Sequence, residues 1–139
     1  MKKLLLLLFL LPAALFAQGQ PDPGFGHYRN TAQSSTELAI KSGATAAYAF
    51  TLINVNTTPV YVKFYNGTVA SVVVGTTVPV AVIAVPAGNG TTPGEAILAP
   101  GTVPWLWVNG GMCIAAVTGI ADNSTAAPST AIYVEVQYK

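Results

Sequence analysis

From Thr36 onward, apolar and polar residues alternate with a period of two, the pattern of β-strands that bury one face. In the stretch 60–65, Val60, Val62 and Phe64 share one face, predicted to enter a core. Tyr61, Lys63 and Tyr65 share the other, predicted to point outward. The end of the chain repeats the pattern, with Ile132, Val134, Val136 and Tyr138 alternating with Tyr133, Glu135, Gln137 and Lys139. Stretch 36–41 sets Leu38 and Ile40 against Glu37 and Lys41, and 46–55 sets Tyr48, Phe50 and Leu52 against Thr51 and Ile53. With further strands expected at 78–85, 95–99, 104–108 and 112–118, the pattern predicts about eight short strands.

The separators carry turn chemistry. Asn66-Gly67, Gly88-Asn89-Gly90, Pro93-Gly94, Pro100-Gly101 and Asn109-Gly110-Gly111 punctuate the strands, and Asn-Gly pairs favour the positive φ angles of tight hairpins. Short strands at this spacing, with no 3.6-residue period, predict an all-β fold: an antiparallel β-sandwich or jelly-roll. The run 80–85 is apolar on both faces and would invite cross-β pairing if exposed. Pro79 and Pro86 bracket it and limit that pairing, and burial between sheets or against another subunit is its expected fate.

The first residues follow a different pattern. Lys2 and Lys3 precede an apolar run of eight residues, 4–11, and then small residues ending at Ala17. That order reads as a secretory signal peptide over 1–17, cleaved between Ala17 and Gln18. The apolar run is shorter than the about 20 residues of a membrane span, so no stable span is expected after cleavage. The Pro- and Gly-rich stretch that follows, with the polar residues up to Ser35, reads as a flexible N-terminal arm over 18–35. A single β-sandwich domain is expected over 36–139.

Removing 17 of the 139 residues leaves 122, enough for one domain with a real core. The mature part carries four basic residues (Arg29, Lys41, Lys63, Lys139) against five acidic ones (Asp22, Glu37, Glu95, Asp122, Glu135), a net charge of −1. An ordinary domain has about a quarter of its residues charged. So weak a field speaks against nucleic-acid partners, which need clustered Lys and Arg. It also removes the repulsion that keeps copies apart, so a homo-oligomer is expected. Cys113 is the lone cysteine and excludes an intramolecular disulfide; its apolar surroundings predict a buried, inert thiol.

Three stretches in order, Tyr61 to Asn66, Gly75 to Gly88 and Gly111 to Thr125, resemble small β-sandwich proteins of tailed-phage virions. In that family a strand similar to Tyr61-Val62-Lys63-Phe64-Tyr65-Asn66 leads through a Gly-Thr turn to a strand closing in Pro-Ala-Gly. The resemblance covers 38–136 and implies a structural role, of decoration, fibre or tail-associated type, without cofactors. Phage particles assemble in the cytoplasm. A signal peptide departs from that setting and points to a cell-surface or extracellular structure built from a similar domain.

Candidate chemistry is sparse. The single histidine, His27, lies in the expected arm, so no Ser-His-Asp or Cys-His set is predicted, and the carboxylates fall at separate strand ends. His27 and Asp22 lack further ligands for a metal. The chain is therefore read as non-enzymatic, with no catalytic, cofactor or metal site. Trp105 and Trp107, at i and i+2, would share a strand face and offer stacked indoles to a carbohydrate, or else fill the core or a subunit contact. Tyr61 and Tyr65, flanking Lys63, would form an aromatic stripe suited to an interface. Four Asn-X-Ser/Thr patterns begin at Asn56, Asn66, Asn89 and Asn123 and matter for a eukaryotic source. The resulting expectation is a secreted structural protein that self-assembles into a fibre, coat or surface layer. The alternatives are a monomeric carbohydrate-binding module and a phage virion decoration or fibre protein.

Overall fold

A computed structural model describes residues 24–139. The predicted signal peptide and its cleavage point at Ala17 and Gln18 lie outside the described residues. Nine strands form two antiparallel sheets: β1 (Gly26–Gln33), β2 (Leu38–Lys41), β3 (Thr45–Asn54), β4 (Val60–Asn66), β5 (Ala81–Val85), β6 (Gly94–Leu98), β7 (Leu106–Val108), β8 (Met112–Val117) and β9 (Ile132–Tyr138). The front sheet has the order β1-β9-β3-β6, with β7 also paired to β3, and the back sheet the order β2-β8-β4-β5. Consecutive strands mostly alternate between sheets. Leaving aside the short β7, this is the connectivity of a jelly-roll, which packs two sheets around one core, with β4 and β5 the consecutive strands that pair within one sheet.

The core lies between the sheets. Val60, Val62 and Phe64 of β4, Ile132, Val134 and Val136 of β9, and Phe50 and Leu52 of β3 meet there with Met112, Ile114 and Ala116 of β8. Trp105 seals it, packing edge-on against Phe50 at 5.2 Å and Phe64 at 5.0 Å between ring centroids. Edge-to-face geometry suits the ring quadrupoles and adds to the burial of apolar area.

Strand alternation breaks where the register shifts. The β3–β9 pairing slips between Ala47 and Ala49, so two residues of β3 oppose one of β9. Tyr48 is therefore not on the core side with Phe50; it packs edge-on against Phe25 at 4.9 Å. A second shift, in the β2–β8 pairing between Ala39 and Lys41, separates Ile40, which is buried, from Leu38, which is 40% exposed. The expected burial of Leu38 does not hold.

Two further expectations are corrected. Residues 26–33, assigned to a flexible arm, form β1 and pair with β9 from Gly26 opposite Tyr138 onward. The Asn-Gly pairs do not close hairpins. Asn109-Gly110-Gly111 instead carries the chain from the front sheet to the back, and the Asn66 side chain accepts from the Gly110 N–H at 2.8 Å while the Gly67 N–H donates to the Gly111 carbonyl at 2.9 Å. Gly111 has φ +111°, and a Cβ there would lie 2.9 Å from the Gly67 carbonyl oxygen, so glycine is required. The apolar stretch around β5 keeps its expected fate in part: it is an edge of the back sheet paired to β4, with Pro79 and Pro86 beyond its ends, and Val85, Ile83 and Ala81 turn one face to the core between the sheets.

Candidate functional site

The sequence-predicted interface stripe on β4 is divided by the structure. Tyr61 is half-buried, opposite Ala84 of β5 and Val117 of β8. Tyr65 is fully buried beneath Val72, beside Cys113 and Ala115, in a small second core outside the back sheet. Lys63 is buried as well, and its Nζ donates to the carbonyls of Ala121 (2.7 Å), Asp122 (3.0 Å) and Ser124 (3.1 Å). Two connections, residues 67–80 and 118–131, thus roof the outward face of β4. Burial pushes the Lys63 ammonium below the usual lysine range, against the opposing pull of Asp122. Burial likewise raises the Tyr65 phenol and the Cys113 thiol above their ordinary values. A clue to the roof was present in the sequence: Val72, Val73 and Val74 form an apolar run in a connection and need something to cover.

The two indoles also part. Trp105 precedes β7, where the chain turns, so the period-two rule does not relate it to Trp107. Its ring enters the core end, and its indole N–H, like the Tyr65 hydroxyl, has no hydrogen-bond partner among the described residues. Trp107 is 63% exposed, with its Nε1 donating to Asn109 Oδ1 at 2.9 Å. A paired stacking platform does not form. Asn56 is buried too: its amide donates to the Thr130 carbonyl at 2.8 Å and to Asn54 Oδ1, which closes that position to modification in the folded chain.

What remains open is the outward face of the front sheet. Among the described residues no connection covers it as residues 67–80 and 118–131 cover the back sheet. The registers align Arg29 of β1, Glu135 of β9, Thr51 of β3 and Ile97 of β6 in one row across the sheet. The next row runs from Tyr133 through Ile53 to Glu95. The Arg29 guanidinium lies 5.4 Å from the centroid of the Tyr133 ring, and the Tyr133 hydroxyl donates to the Glu135 carboxylate. That hydrogen bond is the main reason the Tyr133 phenol is raised above its ordinary value. Ile97 is 61% exposed and borders a shallow cleft of about 220 Å³ with Ala49, Thr51, Pro100, Glu135 and Gln137. Pro100 joins this cleft to a second depression walled by Phe25, Tyr48 and Lys139, whose Nζ sits 4.1 Å from the Phe25 ring centroid.

The chemistry of this face is that of contact: apolar floor, hydroxyls, amides and a few charges of both signs. His27 stands exposed on β1 of the front sheet, whereas Cys113 is buried in the back sheet. Among the described residues no group of three His, Cys, Asp or Glu side chains is placed to hold a metal ion, and no helix is long and apolar enough to cross a membrane. The chain matches no protein-family model, and no curated protein matches it. Sequence missed this face because β1 lay in the expected arm, and without β1 the row from Arg29 to Ile97 could not be drawn.

Proposed function

We propose that this is an exported, non-enzymatic structural protein that self-assembles into a fibre, coat or surface layer, with subunits meeting through the outward face of the front sheet. The carrying observation is the difference between the two sheets. Loops roof the outward side of β4 in the back sheet, while on the front sheet Ile97 is exposed and Ile53, Thr51 and Tyr133 are half-buried, in a surface of low charge. An apolar surface of that kind is commonly an interaction site. Low net charge lets identical copies approach.

A virion decoration or fibre role is the second reading. The jelly-roll connectivity favours it, since viral capsid domains also use that topology. That is an analogy of fold alone. The carbohydrate-binding alternative loses its observed basis once Trp105 and Trp107 are separated.

Light scattering on the purified mature chain tests the first reading. Assemblies far larger than one chain are expected, and they should persist when ionic strength rises from about 0.05 to 0.5 M, because apolar contacts are not screened. Ile53→Asp with Ile97→Asp should disperse them into folded monomers, since each carboxylate would enter a dry contact unpartnered. A parent chain that stays monomeric at every concentration overturns the reading.

A further inference from the structure

We infer that the outward face of the front sheet is covered by the same face of a second copy of this chain, related by a two-fold axis that runs parallel to the strands. The inference rests on the self-assembly reading and adds the partner and orientation of one contact, which closes as a dimer, so that growth into a larger assembly uses a second surface. The order β1-β9-β3-β6 puts Arg29 at one edge of the face and Glu95 at the other, with Thr51, Ile53 and Tyr133 between them. Both charges are exposed. Such a face carries a cation on its β1 edge, beside Glu135 of β9, and an anion on its β6 edge.

Only some stackings of two such faces are electrostatically acceptable. A two-fold axis in the contact plane and perpendicular to the strands would lay β1 over β1, setting Arg29 against Arg29 of the partner subunit and Glu95 against Glu95 of the partner subunit. Like charges brought together this way are strongly unfavourable and serve to reject wrong arrangements. An axis parallel to the strands reverses the order, laying β1 over β6 and β9 over β3. Arg29 then meets Glu95 of the partner subunit, and the pair occurs twice because the contact is isologous. Glu95 sits one row along from Arg29 in the register, a displacement of roughly 7 Å at two residues of strand rise. Face-to-face sheets lie about 10 Å apart, a gap that an extended arginine bridges. In the middle, Tyr133 lies over Ile53 of the partner subunit, and Glu135 lies over the hydroxyl of Thr51 of the partner subunit. Glu135 already accepts from Tyr133, so it enters the contact hydrogen-bonded. Together Arg29 and Lys139 balance Glu95 and Glu135, leaving each face without net charge to repel its copy.

A charge-swap series tests this. Arg29→Glu, Glu95→Arg and the double variant R29E/E95R are compared with the parent by sedimentation, with thermal unfolding showing that each is folded. Each single variant should weaken the dimer about tenfold or more, because two like-charge pairs replace two attractive ones. The double variant restores both pairs in reversed sense and should return to within about threefold of the parent. Recovery in the double variant cannot come from a general loss of folding. A double variant as weak as the singles, or singles indistinguishable from an assembling parent, overturns this geometry and leaves self-assembly standing. A parent that never associates removes both.

Discussion

Lys63 Nζ donates to the Ala121 carbonyl at 2.7 Å, joining residues 58 apart in the chain, and the Asp122 and Ser124 carbonyls complete its three donors. A single ammonium therefore fastens the 118–131 connection over the back sheet. Lys63→Ala would remove three part-buried hydrogen bonds from a charged donor, each worth about 1.5–3 kcal/mol but partly replaced by water as the loop opens, so a loss of about 2–4 kcal/mol is expected. Denaturant titration reads the loss, and limited proteolysis should cut first within 118–131. A change below about 0.5 kcal/mol would mean the clamp does not hold the loop.

Phe64→Ala empties the centre of the core and should cost about 3–5 kcal/mol. Its edge-on contact with Trp105 should appear in a double-mutant cycle as a coupling of about 0.5–1.5 kcal/mol. Additive single losses would place the Trp105 ring elsewhere.

Tyr65 buries a hydroxyl that no described residue partners. Tyr65→Phe keeps the ring against Val72 and Cys113 and removes only that group, so stability should stay level or rise by up to about 1 kcal/mol. A clear loss would reveal a partner for the hydroxyl.

Cys113 gives the fold a pH dependence. Its thiol is raised by burial, so the unfolded chain ionises first as pH climbs through the ordinary thiol range while the folded chain keeps its proton. The unfolded state then binds fewer protons, and stability is full below that range and falls above it. Denaturation at about pH 7 and pH 9.5 should show a larger loss for the parent than for Cys113→Ala. Equal losses would trace the slope to other groups, such as the raised Tyr28 phenol.

The proposed export would depend on the first seventeen residues. Leu6→Arg with Leu8→Arg should interrupt the apolar run and retain the protein in the cytoplasm. Mass spectrometry of the extracellular parent should find an N-terminus at or near Gln18. An intact Met1 in that material would contradict cleavage.

Much of the fold was legible because period-two burial is a local property. Val60, Val62 and Phe64, like Ile132, Val134 and Val136, announce their shared face within six residues, and they enter the core as their spacing requires. The turn residues placed eight of the nine strands near their observed limits. The ninth, β1, alternates weakly, and the Pro and Gly before it masked a strand that is stable only through β9.

By itself, then, the sequence determined the all-β class, the inward faces of the strongest strands and the burial of Cys113, since each follows from neighbours along the chain. Tertiary structure alone decided which outward face stays outward. Alternation separates the two sides of β4 but carries no information about a loop that returns to roof one of them, so Lys63 and Tyr65 could be placed only once residues 67–80 and 118–131 were seen above them. The open face of the front sheet has the same origin. Arg29, Glu135, Thr51 and Ile97 come from four strands spread over more than a hundred residues, and only the pairing registers set them side by side.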